Sequence, residues 1–108
     1  MQRPLRDSRS VVLDASGTGT VVFGPSRDPW TIQRMSVRVS SNTNEPTANV
    51  YRGTVNPGSQ ISGTYSGSND TDSQVSDNPL YPGEYYTCQW TGGDVGATAT
   101  ISFAGIEG

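Results

Sequence analysis

The sequence predicts an all-β chain, a single antiparallel β-sandwich, jelly-roll or immunoglobulin-like, of about seven or eight short strands behind an extended N-terminal arm. Three observations predict it. Apolar residues recur at every second position in several segments, no i, i+3, i+4 pattern persists over three turns, and clusters of Gly, Pro, Asn, Asp and Ser punctuate the chain at short intervals. Its 108 residues suit one core, and at 31% apolar residues that core is thin. A thin core favours support from neighbouring copies, so a homo-oligomer is expected, with a trimer as one candidate.

Residues 10–14 (SVVLD) and 18–23 (TGTVVF) read as two strands joined by a turn at Ala15, Ser16 and Gly17, a hairpin by spacing. Gly24 to Pro29 is a loop, since two prolines and a glycine fall within six residues. Residues 30–40 form the longest strand. Its apolar positions run Trp30 and Ile32, then Met35, Val37 and Val39, so the parity changes, and a β-bulge near Gln33 and Arg34 would return both sets to one face. In residues 46–53, Ala48 and Val50 point inward and Tyr51 outward. A short strand follows around residues 60–65, then a long irregular excursion over 66–77. Residues 78–83 make a turn, and residues 84–91 (EYYTCQWT) put Tyr86, Cys88 and Trp90 on one face. A glycine-rich hairpin connection at Gly92 to Gly96 leads to residues 97–104, where Ala97, Ala99, Ile101 and Phe103 alternate with Thr and Ser.

Charge divides the chain in two. Within the first ten residues Arg3, Arg6 and Arg9 face Asp7 alone, whereas the other 98 residues hold four Arg against nine Asp and Glu. This predicts a basic arm over residues 1–9 and a sandwich domain over 10–108, with the three arginines as candidates for docking onto an acidic partner. The net charge of -3 argues against general nucleic-acid binding. All seven cations are arginine, which points to a GC-rich coding genome more than to special chemistry. No signal-peptide pattern and no bilayer-length apolar stretch is present, so neither secretion by that route nor a membrane partner is expected.

Reactive groups are scarce. Without histidine the chain cannot build Ser-His or Cys-His pairs, and Glu45, Glu84 and Glu107 fall at strand ends or near the terminus, so no catalytic residue and no cofactor is expected. Asn69 to Asp72, with Asp77, offers oxygen ligands for calcium. Gln74 breaks the EF-hand pattern and no glutamate closes the loop, which favours a solvated acidic turn. Cys88, the single cysteine, reads as a small apolar core group. Tyr51, Tyr81 and Tyr85 are candidates for exposed aromatic recognition, as stacking platforms for sugars or anchors at a protein interface.

Several phrases at consistent spacing carry a resemblance. They are Gly17 to Pro25 (GTGTVVFGP), the strand from Trp30 with its VRVSS ending, Glu45 to Ala48 leading to Val50 to Gly53, Gly63 to Asp70, and Trp90 to Ala97. Over roughly residues 11–103 the chain resembles small β-sandwich virion proteins of tailed phages that infect actinobacteria, whether capsid decoration, minor capsid or minor tail proteins. The resemblance implies a sandwich carried on the particle, assembled in the host cytoplasm, whose partners are the major capsid protein or other virion proteins. It transfers no functional residue, and the first ten residues lie outside it. The expected function is an accessory protein on the outside of the capsid shell that acts through multivalent contacts. A minor tail component touching the host surface, and a carbohydrate-binding module using Tyr51, Tyr81 and Tyr85, are the alternatives.

Overall fold

The computed structural model describes residues 2–40, 43–61, 65–66, 69–72 and 79–108, with 57, 65–66 and 69–72 described by their backbone alone. Eight strands form: β1 (Arg3–Val12), β2 (Gly19–Phe23), β3 (Trp30–Val39), β4 (Thr47–Arg52), β5 (Tyr65–Ser66), β6 (Asn69–Asp72), β7 (Tyr86–Thr91) and β8 (Thr98–Glu107). They build two four-stranded antiparallel sheets, ordered β1-β8-β3-β6 and β2-β7-β4-β5. The pairs β1·β8, β2·β7, β3·β6 and β4·β5 are successive rungs of one long hairpin rolled into two layers. That arrangement is a jelly roll, which decides between the two sandwich layouts left open above. A single 3-10 turn at Pro57–Ser59 is the helical element among the described residues.

The core lies between the layers and follows the period-two pattern. Trp30, Ile32, Met35, Val37 and Val39 are all buried, because the β3 register shifts between Ile32 and Arg34 as the parity change required. Gly105 of β8 faces that bulge. A Cβ there would run into the Thr31 carbonyl oxygen, so the absence of a side chain is what lets β3 bend. Ala97, Ala99, Ile101 and Phe103 meet Tyr86, Cys88 and Trp90 from the opposite sheet, all in the interior. Phe23 and Phe103 stack across the layers with centroids 4.4 Å apart, and Tyr86 meets the Phe23 ring edge-on at 5.9 Å. Such ring pairs add about 0.5–1.5 kcal/mol beyond the area they bury. The Trp90 Nε1 meets no acceptor among the described residues, a cost of about 1–3 kcal/mol set against burial of the whole indole.

Burial pushes the Cys88 thiol well above its ordinary range, since nothing nearby stabilises a thiolate. At neutral pH the folded protein is therefore expected to resist iodoacetamide, and to alkylate fully once unfolded in guanidinium. Labelling of the native chain at the rate of a free thiol would contradict this placement.

Three expectations need correction. First, residues 1–9 are not an arm ahead of the domain, because β1 starts at Arg3 and pairs with β8 without a break through Val12. The alternation Leu5, Asp7, Arg9, Val11, Leu13 already runs through it, but two of its inward positions are charged, which hides the period. Second, the turns after β1 and β7 are not hairpins. β1 and β8 belong to one sheet and β2 and β7 to the other, so both turns cross between layers at a corner. The two corners lean on each other. Gly93 N donates to Gly17 O at 3.1 Å, and the Gly93 carbonyl occupies the space a Gly17 side chain would need.

Third, Tyr51 is buried at 8% exposure instead of pointing into solvent. After β4 the chain doubles back along its edge, with Gln60 bridged to Tyr51 and Ile61 N donating to Val50 O at 3.1 Å. The expected strand over 60–65 thus meets β4 at both described ends, while residues 62–64 lie outside the described residues. The expected excursion over 66–77 contains Ser66 of β5 and the whole of β6, and the remainder of it, residues 67–68 and 73–77, lies outside the described residues, Gln74 and Asp77 included.

Candidate partner-docking surface

Strand parity sorts the arginines of β1. Inward positions carry Leu5, Asp7 and Arg9, and outward positions carry Pro4, Arg6, Ser8, Ser10 and Val12. Arg3 shares a rung with Glu107 and Trp30 at the rim of the core. There its guanidinium meets Glu107 Oε1 at 2.8 Å and Asp28 Oδ2 at 3.1 Å, while Trp30 Nε1 donates to Glu107 Oε2 at 3.1 Å. Arg3 therefore closes one end of the sandwich.

Arg9 is committed as well. Its Nη1 donates to Asp7 Oδ2 at 2.7 Å, and its Cζ lies 5.8 Å from the Phe103 ring centroid. The Arg9 hydrogen bond, helped by the Ser8 N–H, holds the Asp7 carboxyl below the usual carboxylate range. Inward-pointing charges on an edge strand, together with Pro4, discourage edge-to-edge pairing with other chains. At these exposures the ion pairs contribute little stability, about 0–1 kcal/mol each.

Arg6 is different. It points outward, is exposed, and has no carboxylate in ion-pair range among the described residues. Two further arginines stand on the same outer face. After the bulge, Met35, Val37 and Val39 are buried, so Arg34 and Arg38 project outward, both exposed. Arg6 and Arg34 flank Ala104 on one rung, and Arg38 shares a rung with Thr100 and Ser10. With strands about 4.8 Å apart and about 3.3 Å per residue, Arg6 and Arg34 are separated by about 10 Å and Arg38 lies about 13 Å further along β3.

Between them the floor is small and hydroxylated. Ser8, Ser102 and Ser36 form the intervening rung, and Ser10 Oγ lies 2.9 Å from Thr100 Oγ1. The outward positions of β1, β8 and β3 include no acidic residue. Arg34 and Arg38 were missed at the sequence level, although their opposite parity to Met35, Val37 and Val39 was the signal that places them outside.

The candidate aromatics divide as well. Tyr81 is 54% exposed, Tyr85 is half-buried, and Tyr51 is interior. Tyr81 sits on a loop fixed by Glu84, whose Oε1 accepts from Tyr81 N at 2.7 Å and from Arg52 Nη2 at 3.2 Å. Among the described residues no three His, Cys, Asp or Glu side chains converge as a metal site, and no helix is long and apolar enough to cross a membrane.

No protein-family model and no curated sequence matches the chain. Solved structures do. A chain from the acidic stable capsid structure of Helicobacter pylori bacteriophage KHP30 superposes with a TM-score of 0.59 at 9% identity, over 99% of this chain and 93% of that one. The Yersinia pseudotuberculosis-derived mitogen superposes with a TM-score of 0.51 at 10% identity, over 95% of this chain and 86% of the mitogen. At such identities the likeness establishes a shared fold. A phage capsid chain and a bacterial mitogen thus have nearly the whole of this jelly roll in common.

Proposed function

We propose that the chain is a phage virion structural protein, bound to the outside of the capsid shell and acting by adhesion and not by turnover. The observation that carries this is the end-to-end match of the jelly roll to a chain of a phage capsid, with nearly full coverage of both. Two features of the molecule support it. The chemistry of an enzyme is thin here, with no histidine and a cysteine held as a neutral thiol in the core. One face, in contrast, offers three exposed arginines over a hydroxylated floor, a surface suited to contact. Multiplied over many copies on a symmetric shell, a weak contact of this kind becomes stable attachment.

Mature particles of the encoding phage are therefore expected to contain hundreds of copies of this protein, counted by quantitative mass spectrometry against the major capsid protein. A few to a few tens of copies would move it to the tail or a vertex. Absence from purified particles would remove the virion reading altogether. The carbohydrate-binding alternative is weakened by the burial of Tyr51, which leaves Tyr81 and the half-buried Tyr85 for a platform.

A further inference from the structure

The outer face of the β1-β8-β3 layer carries three positive charges on a chain whose net charge is -3. Holding like charges on one face without a described counter-ion is a mild cost in the free protein, and a carboxylate partner would remove it. We propose that Arg6, Arg34 and Arg38, with the serine and threonine floor between them, form the docking face for an acidic patch on the shell protein. This rests on the virion reading above and names the surface and the chemistry through which it works.

The partner's class follows from three considerations. Guanidinium groups bind carboxylates through paired N–H donors, and three of them spaced about 10–16 Å apart suit separate acidic side chains on a folded surface. The small hydroxyls between them allow close approach and can donate or accept for a partner's polar groups. Among the residues whose side chains are described, a second copy of this chain offers no carboxylate without a partner of its own, which favours a different protein as the occupant. Asp7 is held by Arg9, Asp28 and Glu107 by Arg3, and Glu84 by Arg52. Asp14 accepts from Ser16 N and Thr18 N, Asp94 from Thr43 N and Asn44 N, and Glu45 also has a partner. A nucleic acid is disfavoured by the negative charge of the whole and by the small number of phosphates that three arginines could neutralise.

The test is co-sedimentation with capsid shells purified from the encoding phage after deletion of the gene. Wild-type protein is expected to bind, with affinity falling as salt rises. Arg6→Glu alone should weaken binding about tenfold, and the triple variant Arg6→Glu/Arg34→Glu/Arg38→Glu at least about a hundredfold, since each puts a carboxylate against a carboxylate. Thr20→Glu/Thr91→Glu, on strands of the opposite sheet, should bind as wild type. Thermal melts report whether each variant is folded, and a triple Arg→Gln variant, expected to lose binding in part, replaces the Glu variant if that one unfolds.

Wild-type protein that ignores the shells overturns both the virion reading and the docking face. Shell binding that survives the folded triple variant, or that falls equally in the Thr20→Glu/Thr91→Glu control, overturns the docking face alone. Retention of wild type on a short DNA duplex at physiological salt, lost in the triple variant and unaccompanied by shell binding, would reassign the three arginines to phosphate and overturn the proposal.

Discussion

Deleting residues 1–9 is expected to leave the protein unfolded or insoluble. The deletion removes Arg3 to Arg9, seven of the ten residues of β1 that pair with β8, together with the buried Leu5 and the Arg3 contact to Glu107. Each lost backbone hydrogen bond costs about 0.5–1.5 kcal/mol. Burial of Leu5 adds about 1.5–3 kcal/mol. The total rivals the whole stability of a domain this size, about 5–15 kcal/mol. β8, now central, would become an edge, and Phe103 would lose the cover of Arg9. Circular dichroism and size-exclusion chromatography read the result. A soluble truncated chain with an unchanged melting temperature would mean that the segment is a free arm after all.

Gly105→Val is expected to be the most damaging single substitution, costing more than about 3 kcal/mol in urea unfolding. The reason is backbone, not side chain. A Cβ at this position meets the Thr31 carbonyl oxygen, and the Ile32 Cα at 3.0 Å, where β3 bulges against β8. No rotamer change relieves such a contact, so either the bulge must straighten or β8 must move. Straightening is not open to it, because that would turn Trp30 and Ile32 to the opposite face from Met35, Val37 and Val39. Gly92→Ala is the control. Its surroundings are open, and the strain of a residue at φ +78° should cost only about 1 kcal/mol. Equal losses in the two variants would show that the bulge contact is not what matters.

Of the proposed docking face, Arg6 alone was legible in the sequence, and only in part, while Arg34 and Arg38 were missed. Arg6 stood out because its charge was unbalanced in the first ten residues, but the same count gave equal weight to Arg3 and Arg9. The structure separates them by parity and by rung: Arg3 reaches Glu107, which lies 104 positions further along the chain, and Arg9 turns inward over Phe103. Nothing local in the sequence announces a partner so distant. Tyr51 illustrates the same limit from the other side. Its alternation with Ala48 and Val50 gave it an outward direction, yet direction does not equal exposure when a later segment returns along the strand edge.

Alternation alone determined the all-β class, the inward sets of β3, β4, β7 and β8, and even the bulge, because side-chain direction in a strand has a period of two that is written directly in the residues. Only the tertiary structure decided which strands share a sheet, that residues from Arg3 onward join the sandwich, and that Arg6, Arg34 and Arg38 meet on one face. The reason is physical: a short turn looks the same to the local chain whether it closes a hairpin or crosses between layers, and the choice is made by which apolar side chains, as far apart in sequence as Leu5 and Phe103, can be buried together.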